Sequence, residues 1–176
     1  MVRKIALALI MAATLGTTVS MASSTDDRLI DVTLGYSYLD LGNDTTGQGG
    51  VIGWDFAFPL SNKNIELGFD MNFDFYSLSS NDSTYQSLVG GGNVNGTAGY
   101  RFFDGKMKVE GGLGYQYLSL ADSFYLTGFQ YSGSLQYKVN KTFTLEAIYT
   151  AASLEPSIGS GTFDESKVGF NLRIAR

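Results

Sequence analysis

The stretch Ile65–Tyr76 reads Ile-Glu-Leu-Gly-Phe-Asp-Met-Asn-Phe-Asp-Phe-Tyr. Every second residue from Ile65 to Phe75 is apolar. Between them stand Glu66, Gly68, Asp70, Asn72 and Asp74. In an extended chain alternate side chains point to opposite faces, so this strand has one greasy face and one charged face. A soluble sandwich would turn the greasy face inward. Here the pattern recurs about eight times along the chain, and the charged faces must then meet one another. A closed barrel with lipid outside and a polar interior satisfies both faces at once.

The N-terminus agrees. Arg3 and Lys4 precede an apolar run from Ile5 to Leu15, and small residues follow, including Ser20 and Ala22. A basic start, a short apolar core and a small-x-small site make a secretory signal peptide, here residues 1–22 with cleavage after Ala22. The alternative, an anchoring helix, needs about 20 apolar residues, more than this run supplies. The remaining residues 23–176 make one barrel domain. The chain has no cysteine, so no disulfide framework holds it. Its 22 glycines and its 11 Tyr and 12 Phe residues, against 2 prolines, suit a strand-rich membrane protein.

The pattern predicts eight strands, at about residues 29–39, 51–58, 65–76, 86–102, 107–118, 125–139, 142–150 and 167–175. Leu34, Trp54, Phe69, Val94, Leu113, Phe129, Leu145 and Phe170 fall on the outward faces, which carry no charge over these spans. The Gly90-Gly91-Gly92 run marks a bulge or loop edge in the fourth strand. Connections 59–64, 103–106 and 140–141 are short. Those at 40–50, 77–85, 119–124 and 151–166 are mostly longer and rich in Gly, Ser, Asn, Asp or Thr. Outer-membrane barrels have short periplasmic turns and longer external loops, which puts the second set outside the cell and both chain ends in the periplasm. The fold class is all-β: an eight-stranded antiparallel up-and-down transmembrane barrel.

This architecture, together with the closing strand Val168-Gly169-Phe170-Asn171-Leu172-Arg173-Ile174-Ala175-Arg176, resembles the small outer-membrane barrels of the OmpA/OmpX type, often grouped with porin-family barrels. Where that class ends its assembly signal on an aromatic residue, this chain has Arg176. The resemblance implies a Gram-negative outer membrane, the barrel assembly machinery as partner, and outer-membrane lipid and lipopolysaccharide as surroundings. It implies a monomer.

The 17 acidic residues outnumber the 12 basic ones, and the leader removes two basic residues more. On the strand map Asp31, Asp55, Glu66, Asp70, Asp74, Glu110 and Glu146 face the lumen, with Arg101, Lys108, Lys138, Lys167 and Arg173. Charges away from bulk water are costly unless paired, so ion pairs across the lumen are expected. Counting from the strand ends puts Arg101 beside Lys108 with Glu110 diagonal, Glu66 facing Arg101, and Asp31 near Arg173. This network is either the polar core of the fold or a gated path for water and small ions. Inward glycines, at 35, 53, 99, 112, 114, 128 and 169, leave space that favours the path.

The external loops carry Asp40, Asp44, Asp82, Asp122, Glu155, Asp164 and Glu165 with no basic partner. They are either a solvated surface or weak divalent-cation ligands that bridge to lipopolysaccharide phosphates, since carboxylate oxygens suit Mg²⁺ and Ca²⁺. No loop has EF-hand spacing. The chain has no His, which removes the base used by lipid-modifying barrels. Asp70 and Asp74 lie about 13 Å apart along one strand face, too far for paired-carboxylate hydrolysis. The acidic balance disfavours nucleic acid, and Gly90–Gly92 lacks the Lys-Ser/Thr of a phosphate loop. No enzyme, cofactor or resident metal is expected. A structural or surface-interaction barrel is the first reading, and a narrow gated porin is the alternative.

Overall fold

The computed structural model describes residues 30–42, 44–60, 64–80, 83–121 and 124–175. The signal peptide expected over residues 1–22 and the terminal Arg176 lie outside them. Eight strands run in order: β1 (Ile30–Asp40), β2 (Thr45–Pro59), β3 (Ile65–Ser80), β4 (Ser83–Phe102), β5 (Met107–Ala121), β6 (Phe124–Lys138), β7 (Phe143–Pro156) and β8 (Phe163–Ala175). Each pairs antiparallel with its chain neighbours, and β1 pairs with β8, so the sheet closes into a barrel. Closure leaves no unpaired edge along the seam, as a lipid environment requires.

With an even number of strands, Ile30 and Ala175 lie at the same end, here called the terminal end. Its turns are built for tightness. Asp104 and Gly105 both have positive φ, and Lys106 N–H donates to the Phe103 carbonyl at 3.1 Å. This is the Asp-Gly turn whose twist matches a hairpin. The Asn140 side chain accepts from the backbone of Thr142 and Phe143 and so caps the β6–β7 turn.

The opposite, distal end differs from expectation. The expected long loops are mostly strand, because β2 begins at Thr45, β7 continues to Pro156 and β8 begins at Phe163. The connections there shrink to 41–44, 81–82, 122–123 and 157–162. The alternation of short and long connections therefore does not hold. The glycine run 90–92 keeps regular register with both neighbours. The irregularities fall instead at Leu78/Ser80 and Ser119/Ala121.

The wall sorts by solvent. Leu34, Leu67, Val94, Leu113, Phe129, Leu135 and Phe170 are exposed on its outside. Exposed aromatic side chains stand at both rims, Phe58, Tyr100, Phe103, Tyr137 and Phe143 near the terminal end and Tyr38, Tyr117 and Tyr125 further along, with Tyr36, Tyr131, Tyr149 and Phe170 between them. Phe56 stacks on Phe69 at 4.4 Å, and Tyr115 meets Phe129 edge-on at 5.6 Å. Among the described strand residues, outward charges occur only at Asp40, Glu155 and Asp164, all beyond the distal girdle. An apolar band between aromatic girdles is the lipid face of a membrane barrel.

Beyond that girdle the pattern inverts. Leu39, Leu78, Leu118, Leu126 and Leu154 turn inward and are buried, while Asp40, Ser77, Ser153 and Glu155 face out. Once the strands leave lipid, water wets the outer wall, and the ordinary inside-apolar rule of soluble sheets returns.

Candidate functional site

The lumen holds three polar layers and an apolar cap. Nearest the terminal end is one connected ion network. Glu66 of β3 receives Arg101 at 2.6 Å and also the ammonium of Lys108. Lys108 reaches on to Glu110 at 2.7 Å. Arg173 of β8 then binds Asp55 at 2.9 Å, Glu146 at 2.7 Å and Glu110 at 3.4 Å. The Gln136 amide donates to Glu110 and Glu146, and Asn171 donates to Glu146 at 2.7 Å. Three cations thus hold four carboxylates, with amide donors supplying the remaining hydrogen bonds. Register explains the meeting. Arg101 lies opposite Lys108, and Glu66 lies opposite Gly99, one step diagonal from Arg101.

Arg173 was expected near Asp31. It stands opposite Thr33, one diagonal step from Asp31, and its guanidinium binds Glu146 on the neighbouring β7 and reaches Asp55 of β2 and Glu110 of β5. Its fork has several donors and can serve more than one carboxylate. Asp31 and Lys138 line the terminal mouth.

The middle layer is mostly amide. Asp70 accepts from Asn72 at 2.9 Å and from Asn95 at 2.7 Å. Asn93 joins Asn72 and Asn95, and Gln130 donates to Asn95. Asp70 also lies directly opposite Asp55, a like-charge pairing that the amides on one side and Arg173 on the other offset.

Above it, Lys167 salt-bridges Asp74 at 3.0 Å and the Ser37 hydroxyl donates to Tyr76 at 3.1 Å. Glu165 was expected on an external loop. It lies in β8 with its side chain 3% exposed, accepting from the Gln116 amide at 2.7 and 2.8 Å. The reason is its parity: Glu165, Lys167 and Arg173 share one face of the strand, and the strand begins four residues earlier than the sequence pattern suggested. Asp40, Glu155 and Asp164 also sit in strands but are exposed, and Asp44 is exposed in the β1–β2 turn. Asp82 and Asp122 lie outside the described residues. Among the described residues no group of three or more acids could hold a metal ion.

The apolar cap lies at the distal end. Leu39, Leu41, Tyr76, Leu78, Val89 and Leu118 pack with Leu126, Ala152 and Leu154 into one buried cluster, flanked by Leu120, Phe124 and Phe163. Sequence reading missed it, although the signal is legible. Leu118 falls on the face that carried Gln116 two residues earlier, and Leu78 and Leu154 fall on the faces that carried Asp74 and Thr150 four residues earlier.

Side chains of neighbouring strands stand over several inward glycines. A Cβ on Gly35 would lie 1.9 Å from Asn171 Oδ1, one on Gly53 2.0 Å from Asn72 Oδ1, and one on Gly114 2.2 Å from Asn95 Oδ1. The amide side chains occupy that space.

No protein-family model matches the chain, and no curated protein matches it. Solved structures do. The crystal structure of Ail, the attachment invasion locus protein of Yersinia pestis, superposes with a TM-score of 0.57 at 10% identity, over 85% of this chain and 99% of that one. A de novo designed transmembrane β-barrel gives 0.51 at 12% identity, over 88% and 100%. Ail in complex with the heparin analogue sucrose octasulfate gives 0.50 at 14%, over 84% and 97%. At these identities the likeness is one of fold. The chain has the fold of a small bacterial outer-membrane barrel.

Proposed function

We propose that this protein is a non-enzymatic outer-membrane barrel with a structural or surface-interaction role and a closed lumen, its terminal end in the periplasm. The observation that carries the reading is the packing at both ends. An ion network occupies the terminal half, and a buried apolar cluster packs at the distal end. Ions crossing it would have to break the first and lose their hydration in the second. The absence of His from the sequence supports a role without acid–base chemistry at neutral pH.

The likeness to an attachment protein supports a surface role in kind only. The complex of Ail with a heparin analogue does not transfer in its chemistry. Here the exposed charges described at the distal end are the acids Asp40, Asp44, Glu155 and Asp164, which repel sulfated polyanions.

Planar-bilayer recording on the refolded protein tests the proposal. The expected result is no steady conductance in the wild type. It is also none in Arg101→Ala, where Lys108 still holds Glu66. Steady cation-selective current through the wild type would overturn the closed barrel and favour the narrow porin.

A further inference from the structure

A recess of about 50 Å³ opens at the terminal end. Arg101, Lys106, Lys108 and Lys138 line it, against one acid, Asp31. Two of these cations are committed inside the barrel: Arg101 to Glu66, and Lys108 to Glu66 and Glu110. Lys106 and Lys138 make no ion pair among the described residues, and they are held side by side because Lys138 N–H donates to the Lys106 carbonyl at 2.8 Å. Thr144 adds a hydroxyl to the lining.

We propose that this mouth is a binding site for a small doubly charged oxyanion of the phosphate class, taken from a free phosphate or from a lipid head group. Lys106 and Lys138 together outweigh Asp31 in the lining, so the recess is net positive toward an anion. The free donors of the Arg101 guanidinium, whose side chain is 34% exposed, and the Thr144 hydroxyl match the remaining oxygens. The volume suits one such anion rather than a chain of them. Depth is set by the layer beneath, where carboxylates outnumber cations and repel anything entering further. Because the apolar cap lies at the distal end, the ligand enters and leaves by the terminal end.

The test uses the isotope-labelled, refolded barrel and NMR in phosphatidylcholine nanodiscs, titrated with inorganic phosphate at constant ionic strength. Saturable shifts are expected at Lys106, Met107, Lys138 and Thr144. Lys106→Gln/Lys138→Gln should weaken binding at least tenfold. Lys141→Gln, in the neighbouring turn but outside the recess, should not change it. A second arm uses nanodiscs containing a lipid phosphomonoester, phosphatidic acid, without added phosphate. Shifts in the first arm assign a soluble anion, and shifts confined to the second assign a head group. The proposal is overturned if neither arm shifts these residues, if chloride reproduces the shifts, or if the double variant titrates like the wild type.

Discussion

Lys167 of β8 and Asp74 of β3 are joined by a 3.0 Å salt bridge across the lumen, with three strand boundaries between them. The bridge ties opposite walls just beneath the apolar cap. Both side chains are almost fully buried, so neither charge can turn to water if the other is removed. Lys167→Met should therefore cost about 3–5 kcal/mol, the usual penalty for stranding a buried charge. Lys167→Met/Asp74→Leu should recover most of it. Urea unfolding in lipid measures both, and a double variant no better than the single would show that the bridge contributes more than mutual neutralisation.

The terminal network predicts an unequal pair. Lys108 serves both Glu66 and Glu110 and is buried, so Lys108→Met should cost about 3–5 kcal/mol. Arg101 is partly solvent-exposed and shares Glu66 with Lys108, so Arg101→Ala should cost about 1 kcal/mol or less. Equal losses in the same unfolding assay would contradict this ranking.

The lipid face predicts a dependence on depth. Leu113, 73% exposed, lies six residues along β5 from its terminal end, whereas Leu145 lies two residues into β7. Leu113→Arg should cost about 2–4 kcal/mol and Leu145→Arg about 0–1 kcal/mol, since the penalty for arginine falls from midplane to interface. Folding titrations into vesicles would show the difference, and the opposite order would move the bilayer along the barrel.

Two glycines separate packing from propensity. A Cβ on Gly128 would stand 1.9 Å from the Ser153 carbonyl oxygen, which is backbone and cannot swing away, while one on Gly133 meets nothing within 4 Å. Gly128→Ala should destabilise by about 1–3 kcal/mol. Gly133→Ala should be neutral or stabilise by up to about 1 kcal/mol through the unfolded chain. Thermal unfolding of the two variants side by side checks the contrast.

The period-two alternation of residues 65–75 by itself determined the class of this protein. Side-chain parity in a strand is fixed by backbone geometry, so the facing of Glu66, Asp70, Arg101, Lys108 and Arg173 followed from counting alone. Neighbour pairs such as Arg101 with Lys108 followed too, because a short turn sets register. Three things were decided only by the closed tertiary structure. Two partners of Arg173, Asp55 of β2 and Glu110 of β5, lie on strands that do not pair with β8, a relation that no local spacing contains. The fate of the inward glycines depends on neighbouring side chains, Asn171 over Gly35 and Asn72 over Gly53. The distal ends depend on where lipid stops: past that level the preferred inward residue changes from polar to apolar. Strand that reads as loop under the membrane pattern then becomes the wall around Leu39, Leu118 and Leu154, with Glu165 drawn inside beneath them.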